Sequence, residues 1–522
     1  MTIVRSIDNF SVVNTITAIR FWARWRPRAD ALVFLDERVT WARLDERTDA
    51  IAAGLQALDL EAGDRIGIMA RNCTEWCLTV IGAQKAGLVV VPLNDRLAPR
   101  EMAEIVEHAG CRAVVTDDDL APKVRTLHQR MPHCRVVLIN GTTQDDEVEF
   151  AQLEQGGTPQ PVDLAPDDVA ILTYTSGTTG LPKGVMLTHG NLLQQAGDRA
   201  LINNWTPETL RSLLCVPLAP TVGIISNLSL TLINGGCLYL EPSYDPARAL
   251  RLIVDERISS MIGVPVMYEG LTHQDGFADA DLSSLTYAVT GGAPVPITLL
   301  QTFQRKGIYI KQCYGLTEAT GFVADMPPHL ALERPDCCGI AGIHNQIKIV
   351  DDDGAELPAG EVGEMLVRGP VVMKGYWRDP DKTAETIVDG WLHTGDLGWV
   401  DKDGFVYIVD RKKDMYISGG LNVYPAEVER VIGALPGVLE LAVVAVPHPR
   451  WNEVGAAIIR AADGVTTEDI IGPCKENLAG YKVPKYVVFV TEELPRNLSG
   501  KILRRELRQT YQSLPETTTP HP

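Results

Sequence analysis

Tyr174 to Val185 reads YTSGTTGLPKGV, a glycine- and hydroxyl-rich turn that ends in one lysine and follows an apolar run from Val169 to Leu172. Gly177, Gly180 and Gly184 let the backbone approach a ligand closely. The hydroxyls of Thr175, Ser176, Thr178 and Thr179 donate together with main-chain N–H groups, and Lys183 supplies charge. That chemistry is a phosphate cradle. A flexible linker uses the same residue types, yet it needs neither the apolar lead-in nor the Pro182-Lys183-Gly184 ending. A Walker A loop requires Gly directly before its Lys and Ser or Thr directly after it. Pro182 and Gly184 stand there instead, so a different phosphate-binding fold is expected.

Four further stretches follow in order: YGLTE at Tyr314–Glu318, WLHTGDLG at Trp391–Gly398, DRKKDMYISGG at Asp410–Gly420 and PRNLSGKILRREL at Pro495–Leu507. Each alone has an ordinary reading, as a strand end before a capped helix, a turn Asp, a charged linker or a basic solvated helix. With the phosphate loop, they make the chain resemble, over nearly its whole length, the adenylate-forming superfamily of acyl-CoA synthetases, peptide-synthetase adenylation domains and luciferases. The resemblance implies that a carboxylate attacks the α-phosphate of ATP, pyrophosphate leaves, and the acyl-adenylate is captured by the thiol of coenzyme A. Such steps depend on positioning and charge neutralisation at phosphorus.

By resemblance, Thr175, Ser176, Gly177, Thr178, Thr179, Gly180 and Lys183 hold the triphosphate, and Mg²⁺ sits near Thr175 and Glu318. Tyr314 flanks the adenine beside Cys313 and Gly315, and Thr317 meets the α-phosphate. Gly291, Gly292, Ala293 and Pro294 of GGAPVP supply an adenine-binding backbone segment. Asp396 accepts from both ribose hydroxyls, and Arg411 contacts the same sugar from across a hinge. Lys501 neutralises the attacking carboxylate and the α-phosphate, so Lys501, Glu318 and Lys183 are the candidate catalytic residues. Lys413 is the pivot on which a C-terminal domain turns for thioester formation, and Gly419 and Gly420 line the tunnel for the pantetheine arm.

The departures from the family concern the acyl pocket. VPLAPTVG places Ala219 and Pro220 where many acyl-CoA synthetases carry an aromatic-His pair, Cys313 stands where Gly is frequent, and Asn452 replaces another common Gly. An aromatic side chain buries about 150–250 Å², so its loss widens the pocket. A bulky alicyclic, polycyclic or aryl carboxylate is therefore expected over a straight-chain fatty acid.

The elements that must position these residues follow from periodicity. Trp41–Leu58 and Glu75–Ala86 read as helices, Arg65–Met69 and Leu88–Pro92 as strands, which predicts layered sheets flanked by helices. Around Gln346–Tyr376 the texture changes to short strands with Gly and Pro turns, a small β-rich subdomain. The charged run Asp410–Asp414 after the strand-like Phe405–Val409 marks a boundary. The expected fold is α/β, with a large N-terminal domain over 1–411 and a small mobile α+β domain over 412–522. The tail from Ser513 reads as frayed.

A chain of 522 residues exceeds one core. Its 45% apolar and 22% charged composition is that of an ordinary globular protein. Net charge −19 opposes a nucleic-acid partner, which demands a basic face, and an anionic membrane surface. Binding of anionic ATP and CoA must then use local cations such as Lys183, Arg411 and Lys501. The charge-free stretch Ser212–Leu240 is broken by Pro217, Pro220, Gly223 and Gly235, which favours buried strands and turns over a membrane span. The ten cysteines show no disulfide or zinc spacing, and MTIVRSIDNF has no unbroken apolar stretch for export, so a cytoplasmic protein is expected.

Two rivals stay open. One is an acyl-AMP ligase that loads a stand-alone carrier protein; no carrier domain is expected after Lys501. The other is a non-catalytic adenylate-binding protein, against which the retained Lys183, Glu318, Asp396, Arg411 and Lys501 argue. Oligomeric state, a homodimer included, is not legible.

Overall fold

The computed structural model describes residues 13–144, 146–175, 182–290, 296–418, 421–496 and 502–514. Ser176, Gly177, Thr178, Thr179, Gly180, Gly291, Gly292, Ala293, Pro294, Gly419, Gly420 and Lys501 lie outside the described residues.

The N-terminal part is built on a nine-stranded and an eight-stranded sheet, each with a parallel centre. Between them lies helix Thr74–Lys85, buried at every position except Glu75. A helix without a polar face must be covered all round. One core accordingly joins Leu32, Leu238 and Leu240 of the first sheet to Ile66, Ile68 and Val90 of the second, through Trp41 and Trp76. The strands and helices read from periodicity appear at Trp41–Gln56, Arg65–Met69, Thr74–Lys85 and Val89–Pro92.

Eleven elements carry the site. In chain order they are α1 (Thr15–Trp25), β1 (Val169–Thr175), β2 (Lys183–Thr188), α2 (His189–Asn203), β3 (Tyr287–Thr290), β4 (Ile310–Leu316), β5 (Gly321–Asp325), β6 (Gly375–Tyr376), β7 (Trp391–Val400), β8 (Val406–Arg411) and α3 (Pro425–Gly433). β1 and β2 form an antiparallel pair in the eight-stranded sheet, while β3, β4 and β5 run towards one edge of the nine-stranded sheet.

Two readings of the sequence are corrected. Only part of the stretch over 212–240 is strand: between Arg211–Leu214 and Cys237–Leu240 the chain forms a helical rod over 221–233, whose middle, Ile224–Ser229, is π-helical. The Asn227 and Ser229 side chains each donate to a carbonyl five residues back, which stabilises the wider turn. No described helix is long and apolar enough to cross a membrane. The second correction concerns Tyr376. The small antiparallel sheet does contain Gln346–Val350, Gly363–Arg368, β7 and β8, but β6 leaves it and pairs with β2 of the eight-stranded sheet.

The turn over 412–414 separates β8 from the final sheet, which begins at Tyr416–Ser418. In that sheet, alternate residues of the long strand Val438–His448 face opposite ways. Val443 and Ala445 pack with α3 and helix Thr467–Asn477, whereas Ala442, Val444 and Val446 pack with Leu507 of helix Arg504–Tyr511. The molecule is thus α/β with a smaller α+β C-terminal domain.

Candidate active site

The hairpin of β1 and β2 puts Thr175 directly opposite Lys183, at the two ends of the loop whose tip lies outside the described residues. β6 then runs beside β2, with Tyr376 opposite Val185. This places the Lys183 ammonium over the Tyr376 ring, 5.3 Å from its centre, beside a cleft of about 200 Å³. The Tyr376 hydroxyl donates to Glu318 Oε1 at 3.1 Å, and the Glu318 carbonyl accepts from Met373 N at 2.9 Å. The phosphate-loop lysine and the YGLTE glutamate are thereby brought together by a tyrosine that the sequence reading did not assign. Its only local signal is a Gly-Tyr-Trp after an apolar run, because its partner lies 58 residues upstream.

YGLTE occupies the end of β4 and a short turn of 3₁₀-helix over Thr317–Ala319. The ladder to β5 is irregular between Tyr314 and Gly315. A Cβ at Gly315 would stand 1.6 Å from the Gly321 carbonyl oxygen, so only glycine fits. Tyr314 is buried and donates to Asp396 Oδ2 at 2.6 Å. Thr317 shares a 2.8 Å hydrogen bond with Thr221 at the start of the helical rod, one residue after Pro220. The buried Ala219 and the half-buried Pro220 therefore adjoin the YGLTE turn. Cys313 is half-buried, its thiol pushed up by burial and then by Asp325, and it makes a 3.9 Å contact to the Thr290 carbonyl.

Asp396 sits within β7, not in a turn, and is nearly buried. Arg411 ends β8 and is its direct cross-strand neighbour, so it approaches from the adjacent strand of the same sheet, and its Nε lies 3.2 Å from Asp396 Oδ1. Both carboxylate oxygens thus have one partner each and retain further lone pairs. Lys413, exposed in the turn after β8, has its ammonium pushed down by partial burial, with the Arg411 and Lys183 cations adding to the effect. Lys183, Arg411 and Lys413 are thus gathered on one part of a chain of net charge −19, interleaved with Asp396 and Asp414. Such cations are what an anionic nucleotide would meet there.

Residues 19–377 match the family of AMP-binding enzymes, and residues 427–501 match the AMP-binding enzyme C-terminal domain. The chain belongs to the AMP-binding enzyme family. It is 38% identical over 491 residues to a feruloyl-CoA synthase of an Amycolatopsis species, covering 94% of this chain and 97% of that one. It is 35% identical to a long-chain-fatty-acid–CoA ligase of Mycobacterium tuberculosis, over 93% of this chain and 96% of the relative. Among solved structures, the Bacillus subtilis o-succinylbenzoate CoA synthetase with its acyl-adenylate intermediate superposes with a TM-score of 0.84 at 30% identity, over 94% of this chain and 97% of that one. The motifs of this AMP-binding enzyme therefore lie in a family whose members make CoA thioesters of quite different acids.

Proposed function

We propose that this AMP-forming acid–thiol ligase activates a ring-bearing carboxylic acid with ATP and passes the acyl group to coenzyme A. The observation that carries the reading is the convergence, from β2, the turn after β4, β6, β7 and β8, of Lys183, Glu318, Tyr376, Asp396 and Arg411 on one side of the N-terminal domain. The ring-bearing acid is supported by the small Ala219 and Pro220 beside Thr317 and by the aryl acids named for two of the similar proteins. A cytoplasmic setting agrees with ten cysteines that lie at no disulfide or zinc spacing.

In the first half-reaction a substrate carboxylate oxygen forms a bond to the α-phosphorus of ATP as the bond to pyrophosphate breaks. Lys183, with the loop it ends, binds the departing phosphates. Thr317 orients the α-phosphate, while Asp396 and Arg411 orient the ribose against the Tyr314 ring. Lys501 supplies the charge that lets two anions meet. Glu318 fits a Mg²⁺ ion: Tyr376 occupies its Oε1, its second oxygen has no partner among the described residues, and Mg²⁺ asks for only one or two protein oxygens. When bound, the ion supplies further neutralisation of phosphate charge. In the second half-reaction the CoA sulfur takes the acyl carbon, AMP leaves, and the thiol proton is released. For that step we assign 412–522 to a unit that turns about Lys413 and brings Gly419 and Gly420 to the pantetheine arm.

ATP–pyrophosphate exchange with a carboxylate panel tests the reading. Exchange that depends on an aryl or alicyclic acid, followed by thioester formation on addition of CoA, is the expected result. Exchange with acyl transfer only to a carrier protein would move the acceptor, and exchange with none of the acids would sink the ligase.

A further inference from the structure

We propose that His108, 66 residues before its partner Tyr174, is a positioning residue for ATP: its ring fixes the strand end from which the phosphate loop leaves. The inference rests on the ligase reading above.

His108 stands in the last turn of helix Pro99–Ala109, which Gly110 closes in the left-handed region at φ 68°. The carbonyls left over at such a helix end carry partial negative charge and call for donors, cations above all. Here they have them. Arg65 donates from Nε to the Ala109 carbonyl and from Nη2 to the Gly110 carbonyl, both at 2.8 Å. The His108 carbonyl accepts from Arg378 Nη1 at 3.1 Å and from Trp377 Nε1 at 3.3 Å. Both guanidinium groups also lie within cation–π reach of the Trp377 ring, Arg65 at 5.4 Å and Arg378 at 5.5 Å. The helix end is thereby held to the chain that follows β6.

That platform is tied to both arms of the hairpin of β1 and β2. Trp377 N donates to the Gly184 carbonyl of β2 at 2.7 Å. On β1, the Tyr174 hydroxyl shares a 2.8 Å hydrogen bond with His108 Nδ1, and the two rings meet edge to face with their centres 5.8 Å apart. Tyr174 is directly opposite Gly184, as Thr175 is opposite Lys183. Its ring lies close over that glycine, since a Cβ on Gly184 would stand 3.1 Å from Tyr174 Cζ and 3.2 Å from Trp377 Cβ. The contacts close a circuit from Tyr174 through His108, Trp377 and Gly184 back to Tyr174. All four residues line the cleft beside Lys183 and Tyr376.

Of the links in this circuit, only the His108–Tyr174 bond joins two polar side chains, so it can be cut without disturbing a strand. A root held in this way spares ATP the ordering of Thr175 and Lys183 on binding. The acyl-adenylate has already lost the two phosphates that the loop binds, so the thioester step does not draw on the anchor.

Pyrophosphate exchange is measured at varied ATP with His108→Ala, Tyr174→Phe and the double variant, beside thioester formation from preformed acyl-adenylate and CoA. One neutral hydrogen bond is worth about threefold to tenfold in an equilibrium, so each single variant should raise KM for ATP at least about threefold, with kcat within about twofold and the thioester rate unchanged. Alanine favours the helix, so loss of helical structure does not enter. Because both substitutions remove the same bond, the double variant should be no weaker than the worse single one. His108→Asn, which carries a polar atom on Cγ where the imidazole has Nδ1, should bring KM back to within about twofold of the natural value. An unchanged KM in either single variant, additive losses in the double one, or no rescue by Asn overturns the proposal and leaves the ligase intact. So does an equal slowing of thioester formation, which marks a contact that only holds the fold. Absence of exchange by the natural protein with every acid overturns the ligase reading and this one with it.

Discussion

Lys183 and Glu318 are each ordinary side chains until Tyr376 ties them. That hydroxyl is bonded to a carboxylate, an interaction of about 1.5–3 kcal/mol, so Tyr376→Phe should lower kcat/KM for ATP by about tenfold or more. Its thermal melt should move little, since the ring and its place on β6 are kept; an unchanged ATP dependence would show that Glu318 needs no such support. Lys501 makes the sharper case. Removing one preorganised charge from the adenylation transition state costs about two to three orders of magnitude, so Lys501→Ala should almost abolish pyrophosphate exchange. Preformed acyl-adenylate plus CoA should still give thioester at near the natural rate, and equal loss of both half-reactions would refute the division of labour. The motif residues were legible in the sequence because each belongs to a short contiguous stretch. Tyr376 and the buried ion pairs of Asp325 on β5 with Arg199 of α2 and Lys311 of β4 were not, because strand pairing and helix packing bring their partners from distant parts of the chain.

α1 is anchored to the start of α2 by a side-chain pair, Thr15 Oγ1 and His189 Nδ1 at 2.7 Å. Burial pushes the His189 imidazole down to about 4 from its ordinary 6.5, so the folded state holds it neutral. Between pH 6.5 and 4 the unfolded chain binds the proton that the fold refuses, and stability falls as the pH falls through that window, by about 3 kcal/mol at most. The melting temperature should therefore drop more between pH 7 and pH 5 in the natural protein than in His189→Asn; equal drops would assign the acid sensitivity to other groups. On the proposed reading, the helical rod over 221–233 borders the acyl pocket. Ala219→Phe, just before it, should penalise a bulky acid more than a slim one, and an unchanged ratio of kcat/KM values would show that the space is not substrate space. Periodicity identified the helices and strands with two-faced patterns, such as Trp41–Gln56 and Arg65–Met69. It failed over 221–233, where nearly every side is covered and apolar residues carry no period to read; the Pro and Gly taken as breaks mostly bound the rod, with Pro220 before its first residue and Gly235 beyond its end.

At the scale of the whole molecule the question is what lets two half-reactions share one site. The run Asp410–Asp414 lies between two sheets, and its side chains already hold the C-terminal domain in place. Asp410 accepts from Ala426 N in the first turn of α3 at 2.9 Å, and Arg504 bridges Glu429 and Asp414. Lys413 stands amid these contacts without joining them. Its side chain is exposed, and its N–H has no hydrogen-bond partner among the described residues. Proline at this position removes no bond, but it fixes φ near −65° and narrows the choices of Lys412 before it. Lys413→Pro should consequently fold, bind ATP and keep pyrophosphate exchange close to the natural rate in the arrangement described here. On the proposed pivot, rotation of the C-terminal domain would need a backbone change that proline forbids, and domain closures of this kind commonly limit turnover. Thioester production should fall at least about tenfold while the acyl-adenylate accumulates on the enzyme. Parallel loss of exchange and thioester, with no trapped adenylate, would place the pivot elsewhere in the chain.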